Sequence, residues 1–292
     1  MLRGKHIKRK GLWQGLYIFL ILLAVLILLY PLMEPRFISV EQESIVLSDL
    51  PEDIRQLRIV YVTDIHQDGF PWFSASRTAS LVSRINSFNA DLVLFGGDYT
   101  SDPAKTLDFF EALPSIHSNY GAFAVFGEHD LAVTEANYSD LRNILNAKGI
   151  TLLNNAAQPV RIGQKNICIA GVNFSSLSRA ALGQVSASVK SEDFVILLCH
   201  TPEAIEDLFR ARDYNGKDNW FDIALFGHTH GDQLAFGLPW LHIAPEVSES
   251  HRRGWIEEHR TPMLISQGIG TTGLPIRVGC PPQIHLITIR SR

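Results

Sequence analysis

Nine residues have types and spacings suited to metal-assisted chemistry, and they fall in five short clusters. These are Asp64 and His66; Asp98 after Gly96 and Gly97; Glu128, His129 and Asp130 after Gly127; His200; and His228 and His230 after Gly227. Carboxylate oxygen and imidazole nitrogen bind Mn, Zn, Fe or Mg without any thiolate. Asp64 and His66 alternate by two, as do His228 and His230, so each pair shares a side on an extended segment. Seven donors are too many for one tetrahedral ion. They suit two divalent ions about 3.5–4 Å apart, which can hold both the attacking and the leaving oxygen of a phosphoryl transfer.

Something must carry five distant clusters to one place, and the intervening sequence says what. Short apolar runs at residues 58–63, 92–95, 122–126, 194–199 and 223–226 each stop at one of the clusters. Between them, residues 76–88, 106–113 and 138–147 place apolar side chains at helical spacing. Further strands are expected near 150–153, 167–170 and 284–289, and a helix from Pro202. Strands alternating with helices predict an α/β fold, and ligands in such folds gather at the carboxyl ends of the strands.

In type and order, the series Asp-x-His (64–66), Gly-Asp (97–98), Gly-x-His-Asp (127–130), His200 and Gly-His-x-His (227–230) resembles the calcineurin-like metallophosphoesterases. The resemblance covers about residues 57–235. The tail at 268–281 (GIGTTGLPIRVGCP) is similar to the membrane-associated bacterial branch of that family. The resemblance implies a four-layer α-β-β-α sandwich. It implies that Asp64, His66 and His230 hold one metal, that Asp98 bridges, and that Glu128, His200 and His228 hold the second. It assigns His129 as the general acid that protonates the leaving oxygen, Asp130 as the residue that orients the His129 ring, and a metal-bound hydroxide as nucleophile.

Two positions depart from the pattern. The family's amide ligand is normally Asn, and here it is Glu128. Glu can ligate, but it cannot donate a hydrogen bond to a phosphate, and it adds a negative charge beside an anionic substrate. Asp232 stands where Gly is usual; it reads as a surface acid, or as an extra substrate or metal contact. The remaining histidines, His117, His242, His251, His259 and His285, read as structural, and His251, Arg252 and Arg253 as a solvated basic loop.

The N-terminus has a different character. Residues 16–30 read LYIFLILLAVLILLY, without a charge, and about 20 such residues cross a bilayer as a helix. Trp13, Tyr17 and Tyr30 lie near the ends, where amphipathic rings favour the interface. The expected organisation is a basic cytoplasmic flank at 1–11, a single-pass anchor at 12–33, a connector at 34–56 and the hydrolase domain at 57–292. Five basic residues before the helix put the N-terminus in the cytoplasm and the body outside it; a helix only partly embedded would leave the body on the cytoplasmic face.

Composition narrows the substrate. Outside the first fifteen residues the chain has 21 basic against 30 acidic residues, a poor match for nucleic acid. Three widely spaced cysteines, Cys168, Cys199 and Cys280, define no disulfide framework. The expected activity is metal-dependent hydrolysis of a phosphodiester or pyrophosphate, in a phosphorylated small molecule, a lipid or a nucleotide-linked lipid at the bilayer. The alternatives are a phosphomonoesterase or nucleotide phosphodiesterase, and a metal-binding scaffold that has lost its chemistry through Glu128.

Overall fold

The computed structural model describes residues 3–67, 74–132, 134–174, 178–234, 243–244 and 246–292. His242 lies outside the described residues.

Two six-stranded sheets make the body. In the first the order is β1 (Ser39–Val46), β12 (Gln283–Arg290), β2 (Gln56–Val62), β3 (Leu92–Phe95), β4 (Ala122–Ala124) and β5 (Ile150–Leu152). In the second it is β10 (Gly254–Glu258), β11 (Thr261–Ile265), β9 (Ile223–Phe226), β8 (Phe194–Cys199), β7 (Lys165–Val172) and β6 (Ala156–Ile162). β2 to β5 run parallel in one sheet and β7, β8, β9 and β11 in the other, so their carboxyl ends point the same way within each sheet.

Period-two alternation builds the layers. In β2, Leu57, Ile59 and Tyr61 face the second sheet and meet Ile169, Ile196 and Leu225 between the sheets. Val60 and Val62 face the other way, onto α2 (Ala75–Ser87), α3 (Thr106–Ala112) and α4 (Glu135–Ala147). α2 buries Thr78, Leu81, Val82 and Ile85, the i, i+3, i+4, i+7 stripe of a helix with one wet face. On the far side, α5 (Arg179–Ser186) and α6 (Ile205–Arg210) cover Val195, Leu197 and Ala224. The result is the expected α-β-β-α sandwich.

Residues 34–56, read as a connector, contain β1, which pairs in parallel with β12 along its whole length. Before it, α1 (Arg3–Met33) passes into a short 3-10 turn at Glu34–Arg36. Residues Trp13–Arg36 are long and apolar enough to cross a membrane, and residues 13–30 are exposed.

Candidate metal centre

The carboxyl ends of β2, β3, β4, β8 and β9 bring the five clusters together. Asp98 lies at the middle. Its Oδ2 is 3.4 Å from His66 Nε2 and 3.4 Å from His200 Nε2. Asp64 Oδ1 is 3.6 Å from His230 Nε2 and 3.9 Å from His200 Nε2, and the Nε2 atoms of His66 and His230 are 3.1 Å apart. Glu128 reaches in from the rim, with Oε2 3.3 Å from His228 Nδ1 and Oε1 3.3 Å from His129 Nε2. Donor atoms converge as Asp64–His66–His230, Asp64–Asp98–His200 and Asp98–Glu128–His129. Six of the seven expected ligands and His129 fall in these groups, and His228 joins them through its contact with Glu128. Among the described residues, His117, His251, His259 and His285 do not join these groups.

These residues fit divalent metal. His200 Nε2 and His228 Nδ1 are buried without a hydrogen-bond partner, and both face carboxylates. A buried polar atom left unpaired is unfavourable unless something fills its place. The opposite ring nitrogens are held: His200 Nδ1 donates to Gly96 O at 2.7 Å, His66 Nδ1 is 3.2 Å from Ser101 Oγ, and His228 Nε2 is 3.0 Å from Glu246 Oε1. Such outer contacts fix which nitrogen offers its lone pair.

The backbone is strained where these residues sit. Asp64, His66, Asp98, His228 and His230 all have φ between +44° and +68°. The left-handed region costs a non-glycine residue on the order of 1 kcal/mol or more, and such strain clusters at functional sites. It turns each side chain inward straight off the end of its strand. Two glycines make room for this: a Cβ on Gly127 would collide with the Asp98 carboxylate, and one on Gly227 with that of Asp64.

Burial and like charge set the protonation. Burial pushes His66 down to about 4 and holds His230 well below its ordinary value, where His66 and Arg277 add to the effect. Both are then neutral imidazoles, the form that ligates. Burial raises Asp64 to about 6, against the pull of His200 and with the push of Asp98. For Asp98 burial acts upward, but His200 and His66 outweigh it and hold the carboxyl below its usual range. Burial would lower His200, yet Asp98 and Asp64 carry it to about 10. A proton on His200 and a cation between the carboxylates are thus alternatives, so metal uptake releases protons.

Asp130 differs from expectation. Its carboxylate does not orient the His129 ring; it accepts three main-chain N–H groups, from Asp98 (2.7 Å), Tyr99 (2.9 Å) and Gly127 (2.8 Å). It braces the two turns that carry Asp98 and Glu128. Asp232 is not a surface acid, and it joins none of the metal-ligating groups formed by the described residues. It is buried and pairs with Arg252 Nη1 at 2.7 Å. Arg252, read as part of a solvated loop, is buried as well, its guanidinium donating to the carbonyls of Ala244 and Val247.

Several contributors carry no motif. Glu246 backs His228. Phe174 stacks on the same ring, with centroids 6.0 Å apart and planes at 27°. Arg277, fully buried, lies behind His230 with Nη2 3.4 Å from Nδ1. Arg277 falls inside the 268–281 tail, but nothing in the sequence singles out Glu246 or Phe174.

The model of the calcineurin-like phosphoesterase family matches residues 57–232. The Bacillus subtilis metallophosphoesterase YkoQ is 26% identical over 235 residues, 79% of this chain and 82% of the relative. A Danio rerio transmembrane protein with a metallophosphoesterase domain is 27% identical over 269 residues, 88% of this chain and 57% of its own length. Phosphopantetheinyl hydrolase (PptH) from Mycobacterium tuberculosis aligns with a TM-score of 0.42 at 10% identity, over 76% of this chain and 95% of that one. The family match opens at β2, closes just past His230 and takes in every residue of the cluster, so the chain belongs to the calcineurin-like phosphoesterase family.

Proposed function

We propose that this phosphoester hydrolase works with two divalent ions and cleaves a phosphodiester or pyrophosphate in an amphiphile of the membrane that α1 enters. The observation that carries the two-ion reading is Asp98 Oδ2, equally distant from His66 and His200 at 3.4 Å. In this reading Asp64, His66 and His230 would hold one ion and Glu128, His200 and His228 the other, with Asp98 shared between them. The ions supply water activation near neutral pH and neutralise charge on the phosphoryl group.

The chain's own residues do the rest. The main-chain N–H of His129 donates to Asp98 Oδ1 at 2.9 Å, which pins the base of that residue beside the cluster. Its side chain is 35% exposed, so it can meet a leaving oxygen arriving from solvent. Glu128 accepts from the ring and raises its pKa above the ordinary value, which favours the protonated form a general acid uses. Phe174 offers an apolar wall beside His228.

The membrane part rests on proximity. The main-chain N–H of Arg277 donates to Pro31 O in the last turn of α1, while its guanidinium lies 3.4 Å from His230. A single residue thus spans the gap between the end of the apolar helix and the cluster. With α1 in a bilayer, this tie would keep the cluster near the lipid headgroups. The basic flank of α1 favours a cytoplasmic N-terminus and a body outside the cytoplasm.

The test uses the full chain in detergent micelles, loaded with Mn, Zn, Fe or Mg and assayed on an aryl phosphodiester, an aryl phosphate and a lipid pyrophosphate. Two ions per chain and fastest turnover of the amphiphile are expected. His129→Ala should lower turnover about 10²–10⁴-fold and keep both ions. Loss of one ion in that variant would make His129 a ligand, and turnover of only the water-soluble esters would remove the lipid part.

A further inference from the structure

We propose that Glu34, in the turn that ends α1, is a positioning residue for His230, so that the apolar helix is built into the support of the metal centre. The inference rests on the reading of His230 as a metal ligand. Glu34 is 3% exposed although it lies at the end of an exposed helix. Its carboxylate accepts two consecutive main-chain N–H groups, from Gly279 to Oε2 at 2.9 Å and from Cys280 to Oε1 at 2.6 Å. A charged acceptor bridging two amides fixes their direction as well as their place.

From there two routes run to His230. The Cys280 thiol is 3.2 Å from the His230 carbonyl and 2.5 Å from Gln267 Oε1. Arg277 forms the second route. Its main chain is tied to Pro31 O, its Nη1 donates to Cys280 O at 2.9 Å, and its Nη2 donates to Gln267 O at 2.7 Å and faces His230 Nδ1. Segment 277–280 is therefore clamped to the end of α1 on one side and lies against His230 on the other.

His230 needs such a brace. Residues 230 to 233 have φ of +51°, +55°, +63° and +57°, four consecutive left-handed residues of which only Gly231 adopts that region freely. Four such residues do not hold this path by local preference. Two of the contacts that hold it at its ends come from the clamped segment: the thiol on His230 O, and Val278 N–H donating to Gln233 O at 2.8 Å; Arg252 on Asp232 and Thr272 on Gln233 support the middle. A Cβ on Gly231 would lie 2.8 Å from Cys280 Sγ, so the turn and the thiol are already in close contact.

A residue that merely fastened the helix would affect stability and leave the metal alone. A positioning residue changes the ion's surroundings. The experiment is a Co(II) titration of the metal-free full chain in detergent micelles, followed by visible absorption. The wild type should take up two equivalents. Glu34→Ala should weaken one of the two sites about tenfold or more and alter its absorption band, with the other site unchanged. Glu34→Gln, which keeps one acceptor oxygen, should fall between them. Both equivalents bound with wild-type affinity and spectrum in Glu34→Ala overturns the proposal, whatever happens to the melting temperature. If Glu34→Ala does not fold, Cys280→Ala carries the test, because it removes the thiol contact and leaves the amides in place; weakening of the same site supports the proposal and a wild-type titration overturns it. A wild-type chain that binds no cobalt instead defeats the reading of His230 as a ligand.

Discussion

Glu246 Oε1 lies 3.0 Å from Nε2 of His228, while the other nitrogen of that ring, Nδ1, faces Glu128 across 3.3 Å. The imidazole is thus held from behind by one carboxylate, with its free nitrogen turned into the cluster. Outer carboxylates of this kind fix the tautomer and raise the basicity of the ligand, and their loss lowers metal affinity about 10–100-fold. Glu246→Ala should therefore weaken the site that includes His228 by that factor and leave the other unchanged. Isothermal titration of the metal-free protein reads this directly; equal weakening of both sites would mean that Glu246 acts on the whole loop rather than on His228.

Asp130→Asn addresses the brace rather than the metals. The carboxylate takes N–H groups from Asp98, Tyr99 and Gly127. An amide has one acceptor oxygen, and its NH₂ would oppose at least one of those donors. A buried amide left unpaired costs about 1–3 kcal/mol. The melting temperature should drop by several degrees, and turnover should fall because the turns carrying Asp98 and Glu128 loosen. If turnover fell with no change in stability, Asp130 would be acting on His129 after all.

The strand-end clusters were legible because each follows a run of apolar residues, where a charged or imidazole side chain is conspicuous. What the side chains of those clusters touch was much less so. The family resemblance implied that Asp130 orients the His129 ring, yet neighbours in sequence leave a turn in different directions. Asp232 looked like a surface acid because its partner, Arg252, lies twenty residues on. β1, β6 and β10 are edge strands with mixed burial, and their sequences pass for loops. Left-handed backbone at Asp64, His66, Asp98, His228 and His230 leaves no mark either, since nothing in those residue types demands it.

Asp222 gives the fold a pH dependence of its own. It precedes β9, at the end of that strand away from the metal cluster, and its Oδ2 accepts from Val195 N–H at 2.6 Å. Burial pushes its carboxyl up to about 7; the Val195 contact opposes this and Asp49 adds to it. The folded pKa lies above the unfolded value of about 3.9, so between those limits the folded state binds the proton more tightly. The stability contributed by Asp222 is then greatest below about pH 4 and is lost as pH rises toward 7. Asp222→Asn keeps an acceptor for Val195 and removes the titration. It should melt several degrees above the wild type at pH 8, on the order of 2 kcal/mol, and level with it near pH 4. An equal difference at both pH values would rule the titration out.

Glu128 places a full negative charge where the family usually has a neutral amide. Its oxygens are 3.3 Å from His228 Nδ1 and 3.3 Å from His129 Nε2, at the rim where a phosphoryl group must enter. Two unit charges about 4 Å apart interact by roughly 4 kcal/mol at the effective dielectric of a protein surface, and solvent at this one-third-exposed side chain reduces that to on the order of 1 kcal/mol. Glu128→Asn should therefore lower KM for an anionic ester about fivefold, and it should favour a doubly charged monoester more than a singly charged diester. It also removes a carboxylate proposed to hold metal, so metal affinity at the site proposed to include His200 and His228 should fall in the same variant. Measuring KM for both esters at saturating metal separates the two effects. A KM gain equal for monoester and diester would show that the charge of Glu128 does not act on the substrate, and that its role is confined to holding metal.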